Sequence, residues 1–201
     1  MPVVAVRVWL PDRPGALGAV ASRIGAVGGD VIGIDIIDRG AGRAVDELVV
    51  ELPEDGLTDL LLREVADVEG VDVEDVRELD GPPPDPSVVA LSLARSLRDA
   101  GTDRMPLLLA EGARQLLAAD WAAVVPLDGA APLAAAGPDV PADAWLAALV
   151  AGATAGSGST GLDAVAVVRL DRVAAALVVS RERLPLRGRE QRVLEELAGL
   201  A

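Results

Sequence analysis

Leu10-Pro11-Asp12-Arg13-Pro14-Gly15-Ala16-Leu17 separates two patterns of different period. Upstream, Val4, Val6 and Val8 alternate with Ala5, Arg7 and Trp9, the period-2 signature of a half-buried strand. Downstream, Leu17, Val20, Ile24 and Val27 fall at i, i+3, i+7 and i+10, one stripe of a helix. The stretch is therefore a strand-to-helix junction. Asp12 suits the strand end and can accept hydrogen bonds from the loop or the first helical turn. Pro14 fixes φ before the helix, and Gly15 lets a ligand or another backbone come close. N–H groups near 15–17, reinforced by the helix dipole, suit a carboxylate, and an acidic side chain beside them suits an ammonium. One small pocket can thus take both ends of an amino acid.

Working outward, Gly28-Gly29 stops the helix as a left-handed C-terminal cap does. Ile32, Ile34 and Ile36 share one face of a second strand. Gly40-Ala41-Gly42 turns the chain, and Leu48, Val50 and Leu52 line one face of a third. Leu57, Leu60, Leu61, Val65 and Val68 predict a second helix ended by Gly70. Val71 to Leu79 reads as a last, more polar strand at a sheet edge. The order β-α-β-β-α-β in about eighty residues predicts a ferredoxin-like split βαβ unit. Trp9 points away from the Val4, Val6 and Val8 stripe, placed either to close a pocket, to cover a subunit interface, or simply to lie half-buried on the sheet.

Asp12-Arg13-Pro14-Gly15-Ala16-Leu17, the helix, and Gly28-Gly29-Asp30-Val31-Ile32 entering an Ile-rich strand together resemble an ACT domain over residues 1–79. The family's motif has Pro-Gly in the first loop and a Gly-x-Asn-Ile-like segment entering the second strand. The Pro-Gly half matches. Asp30 stands where many members have Asn, and an ionised Asp meets an ammonium where an Asn would donate to a carboxylate. The resemblance implies a regulatory module that binds an amino acid through Asp12, Arg13, Pro14, Gly15, Ala16, Leu17, Asp30 and Val31. It also implies a homodimer with the ligand at or near the shared interface.

Composition narrows the chemistry. The 201 residues include no Cys, His, Tyr, Phe, Lys or Asn. Thiol and His nucleophiles, Cys/His zinc sites and Schiff-base lysines are excluded. All 18 cations are Arg against 32 carboxylates, a net charge of −14. That balance argues against a nucleic-acid binder, which needs a basic footprint. The Arg-only, Ala- and Val-rich usage suggests a GC-rich bacterial genome. No apolar run reaches the roughly 18–20 residues of a membrane span, and the N-terminus does not read as a signal peptide, so a cytoplasmic location is expected. Asp35, Asp38, Asp46 and Glu47 can be imagined as Mg²⁺ ligands, but read more simply as solvated turn and strand-edge charges. No metal or cofactor is expected.

Asp80-Gly81-Pro82-Pro83-Pro84-Asp85-Pro86 marks a stiff linker over residues 80–86. Charge divides unevenly around it: residues 1–79 hold 17 carboxylates and 7 Arg. Residues 87–201 read as a second α+β domain. Helical pattern over 87–119 is interrupted at Gly101-Thr102-Asp103, where Thr102 or Asp103 can cap the next helix. A strand from Trp121, a short strand at Leu133–Ala136, a helix opened by Pro141-Ala142-Asp143, a small-residue loop over 153–161, strands at Ala164–Leu170 and Ala174–Ser180, and a helix over Arg189–Leu200 follow. That order, with Leu186-Arg187-Gly188-Arg189-Glu190 before the last helix, resembles a short, degenerate GAF domain serving as a dimerisation scaffold. Gly156 to Gly161 lacks the Lys of a phosphate loop. The expectation is a non-enzymatic regulatory protein that relays amino-acid binding to the second domain or to a partner enzyme. The alternative is a ligand-free interaction scaffold on the same folds.

Overall fold

The computed structural model describes residues 1–155, 164–170 and 172–201, and the chain divides into two compact units, Met1–Pro83 and Pro84–Ala201. The Gly156–Gly161 reading lies outside the described residues.

The first unit runs β1 (Val3–Pro11), α1 (Ala16–Ala26), β2 (Asp30–Gly40), β3 (Arg43–Glu51), α2 (Thr58–Ala66) and β4 (Asp72–Leu79). Its antiparallel sheet has the order β2-β3-β1-β4, the ferredoxin-like arrangement expected from the sequence, with polar β4 at an edge. Val4, Val6, Val8 and Leu10 pack with Leu48, Val50 and Leu52 of β3, with Val20 and Ile24 of α1, and with Leu61 and Val65 of α2. Both helices therefore cover one face. Gly28, at φ 78, takes the left-handed position after α1, and the Gly28 and Gly29 N–H groups return to Gly25 O and Ile24 O at 3.0 Å each.

β1 is not half-buried as its alternation suggests. It is a central strand, and Val3, Ala5 and Arg7 on the face away from the helices are at most 3% exposed. Arg7 donates to Glu47 through Nε at 3.1 Å and Nη2 at 2.9 Å, and Arg77 Nη2 donates to the same carboxylate at 2.6 Å. Ile32, Ile34 and Ile36 differ in the opposite sense, being 40%, 49% and 41% exposed. Alternation told which way these side chains point. It did not tell that β2 is an edge strand.

The second unit runs α3 (Pro86–Asp99), α4 (Met105–Leu116), β5 (Trp121–Pro126), β6 (Ala134–Ala136), α5 (Asp143–Ala155), β7 (Val165–Arg169), β8 (Ala175–Ser180) and α6 (Gly188–Leu200). Its antiparallel sheet has the order β6-β5-β8-β7. α3, α4 and α6 pack against Ala122, Val124, Leu177 and Val179, while Leu146 and Val150 of α5 pack with Trp121, Ala123, Val125 and Val178. Strand alternation thus feeds two cores. Trp121 and Trp145 meet edge-to-face, with centroids 6.3 Å apart and planes at 79°.

Three local expectations are revised. Asp85 accepts from the Ser87 and Val88 N–H groups and Pro86 opens α3, so the end of the proline run belongs to a helix start. α4 has Arg104 at its N-cap with no side-chain cap, so neither Thr102 nor Asp103 caps it. α5 continues through Ala155, so Ala153 to Ala155, expected in a loop, are helical.

In the second unit, Arg181, 4% exposed, ties the loop after β8 to α6. Its guanidinium donates to both oxygens of Glu190 at 2.6 and 2.9 Å, and to the carbonyls of Leu117, Leu184 and Pro185 at 2.9–3.0 Å. Glu190 also accepts from the Arg187 N–H at 3.0 Å. Every contact here is charge-assisted, and those of Arg181 with Glu190, Leu117 and Leu184 are buried.

Candidate functional site

β1 ends at Pro11 beside the β2–β3 hairpin, and the Asp12 N–H is held by Gly42 O at 3.0 Å. The Arg13 N–H turns back to Pro11 O at 2.8 Å. Gly15, at φ 87, is the N-cap of α1, a left-handed conformation that a residue with a Cβ adopts only under strain. α1 has no side-chain cap and no acidic residue in its first turn. Asp12 therefore does not cap the helix; its carboxylate lies 4.0 Å from Arg39 Nε instead. The expected row of free N–H groups is also shortened, because Ala16 donates to Arg13 O at 3.3 Å.

A cavity of about 430 Å³ opens at this uncapped terminus. Arg13, Pro14, Gly15 and Ala16 line one wall, and Asp67, Val68, Glu69 and Val71, between α2 and β4, line the other. Four of the eight residues singled out from sequence are thus gathered. Arg23, Asp67 and Glu69 join them, and Arg23 also pairs with Glu64 at 3.0 Å. The Asp67–Glu69 wall comes from a segment some fifty residues away in the chain, and only the split βαβ topology brings those two loops to one end of the sheet.

Leu17, Asp30 and Val31 lie elsewhere. Leu17 packs partly buried against the helix-side core. Asp30 pairs with Glu51, whereas the loop leaves the sheet where Pro11 pairs with Arg43. The two lie at opposite ends of an eleven-residue strand, roughly 30 Å apart by strand rise. Within one protomer Asp30 and the Pro-Gly loop share no pocket. Trp9 does not line this cavity: its Nε1 donates to Glu74 at 3.1 Å and Arg43 stacks over its ring at 5.4 Å.

The acidic set over 35–47 is dispersed between faces. Asp35 pairs with Glu47 on the sheet face away from the helices. Asp46 pairs with Val8 and Ile36 on the helix side, between Ala44 and Leu48 of the core row. Among the described residues no three such ligands converge on a metal-sized point. Asp46 is not a solvated charge: it is 3% exposed and its Oδ1 has no hydrogen-bond partner. Burial raises its pKa above the usual carboxylate value, Arg39 works against that rise, and Asp12 adds to it. The sequence held a signal for this, since Asp46 is in phase with Leu48, Val50 and Leu52.

Residues 4–70 match the family model described as the ACT domain. No curated protein matches the chain. Among solved structures, the ACT domain from GTP pyrophosphokinase of Chlorobium tepidum aligns at 16% identity over 39% of this chain and 100% of that one, with a TM-score of 0.32. A formyltetrahydrofolate deformylase from Pseudomonas putida KT2440 aligns at 16% identity over 48% of this chain and 38% of that one, also with a TM-score of 0.32. A protein of unknown function from Galdieria sulphuraria aligns at 13% identity over 98% of this chain and 91% of that one, with a TM-score of 0.36. Overlays at this level carry no argument about function. The family-model match spans β1 to α2, with the Pro-Gly junction at the first helix, inside a unit of β-α-β-β-α-β order: residues 4–70 of this chain are an ACT domain.

Proposed function

We propose that the chain is a non-enzymatic regulatory protein whose ACT domain binds an amino acid at the β1–α1 junction. The observation that carries this reading is the cavity at the uncapped α1 N-terminus, where Arg13 and Arg23 stand with Asp67 and Glu69. A carboxylate suits the helix dipole and the guanidinium groups; an ammonium suits the acids. ACT domains as a family are small ligand-binding regulatory modules, which supports the same reading.

The active form is a homodimer through β2. Its edge is open and its Ile32, Ile34 and Ile36 stripe is exposed. Antiparallel pairing of two β2 edges carries the Asp30 end of one copy toward the Asp12 end of the other, which gives Asp30 and Val31 a route to the ligand. The proline-rich stretch ahead of α3 joins this module to a degenerate GAF-like second domain, which relays the bound state to a partner enzyme. Among the described residues no helix is long and apolar enough to cross a membrane, and the protein acts in the cytoplasm, away from nucleic acid.

Titration calorimetry of the full chain with each of the twenty amino acids tests the reading. At least one is expected to bind with a dissociation constant below millimolar, and Arg13→Ala is expected to weaken it. Silence across the whole set at millimolar ligand removes the sensor role and leaves the ligand-free scaffold.

A further inference from the structure

The charges that line the cavity at the start of α1 do not cancel within the protein. Arg23 is already held: its Nη1 donates to Glu64 Oε2 at 3.0 Å, and Glu64 stands on α2 outside the cavity lining. The side chains of Arg13, Asp67 and Glu69 make no hydrogen bond or ion pair with any described residue. Arg13 on one wall and Asp67 and Glu69 on the other thus line one space without meeting. One cation and two anions are left to balance. The rest of the lining is mostly apolar, with Pro14, Ala19, Val68 and Val71. At about 430 Å³ the space falls within the roughly 300–1,000 Å³ of small-molecule sites.

We propose that the ligand is a basic amino acid, a molecule with one carboxylate and two cationic groups. The proposal rests on the amino-acid reading of this cavity and names the class of amino acid that it selects. The ligand's carboxylate pairs with Arg13. Its α-ammonium and its side-chain cation divide Asp67 and Glu69 between them, while the methylene stem lies along the apolar lining. A neutral amino acid leaves one of the two carboxylates unmatched. An acidic one brings a further carboxylate against them, with Arg23 already taken by Glu64. Asp67 and Glu69 are exposed, so each contributes modestly, and selectivity comes from both acting on one molecule.

Titration calorimetry of the full chain compares two matched pairs, lysine with 6-hydroxynorleucine and arginine with citrulline. In each pair the neutral member keeps the shape of the cationic one. The basic member of at least one pair is expected to bind about three- to fivefold more tightly, the effect of an exposed ion pair. Glutamate should bind more weakly than either basic amino acid. Asp67→Asn/Glu69→Gln, whose melting curve shows that it folds, should bind the two members of that pair equally. Equal affinities within both pairs in the wild type, or tighter binding of glutamate, overturn the proposal while the amino-acid reading stands. A preference that survives in Asp67→Asn/Glu69→Gln overturns it too, because the side-chain cation is then read elsewhere. Absence of binding by any of the twenty amino acids overturns the proposal and the reading together.

Discussion

A carboxyl at 3% exposure without a hydrogen bond to Oδ1 stands higher in free energy than the same group in water. Because burial raises the Asp46 pKa, the folded chain holds its proton to a higher pH than the unfolded chain does. The stabilisation this proton brings is complete below the unfolded value near 3.8 and is lost as pH rises through the raised one. Asp46→Asn should therefore be more stable than the wild type at neutral pH, by roughly 1–3 kcal/mol, the usual cost of an unsatisfied buried group. The gap should close toward about pH 4 and below. Thermal melts at both pH values check this; a gap that does not vary with pH would place the effect elsewhere than the carboxyl. Gly15 shows the other residue-scale constraint. A Cβ there meets nothing within 4 Å, so Gly15→Ala is penalised by its φ of 87 alone, by about 1–2 kcal/mol in chemical denaturation.

At the scale of elements, hydrophobic period located the strands and helices of both units closely, down to β8 and α6. What period does not carry is the neighbour. Ile32, Ile34 and Ile36 have a core strand's alternation, yet β2 lacks a strand on one side and the helices lie over β1 and β3. Ile34→Lys is therefore expected to leave the monomer's stability within about 0.5 kcal/mol, as for other surface changes. It should shift a dimer to monomer in sedimentation. A loss of several kcal/mol would mean that the stripe is packed within the protomer. The candidate site divides in the same way. Its Pro-Gly wall was legible because a helix entry is local chemistry, whereas Asp67 and Glu69 reach it only through the fold. Asp30 was placed beside the loop by motif and lies a full strand away by register. Arg181 was silent in the sequence because a buried Arg reads like a surface one until its partners are known. Removing one member of a buried pair costs about 3–5 kcal/mol, and replacing both by apolar residues costs far less. Arg181→Met should accordingly destabilise the second unit strongly, and Arg181→Met/Glu190→Leu should recover most of that loss in denaturant titration.

Across the whole molecule, the charge is concentrated in the first unit. Residues 1–79 carry 17 of the 32 carboxylates but only 7 of the 18 arginines. The resulting field favours cationic groups approaching the ACT domain and weakens with salt. Raising ionic strength should therefore lower the association rate of a cationic amino acid more than that of a neutral one. Stopped-flow measurements with arginine and leucine check this, and equal salt dependence would confine the field's influence to contact distance.

The Arg181 clasp also bears on the order in which the protein is made. The first unit ends at Pro83, and its hydrogen-bonded sheet needs nothing beyond that point. The second closes only when Glu190, near the end of the chain, meets Arg181 and the carbonyl of Leu117. Until that residue leaves the ribosome, Arg181 has no counter-charge and α4, β5 and β8 have no last helix to cover them. A chain shortened to residues 1–180 should hold a protease-resistant first unit and a digestible remainder. Translation thus delivers the ACT domain as a finished object well before the second unit.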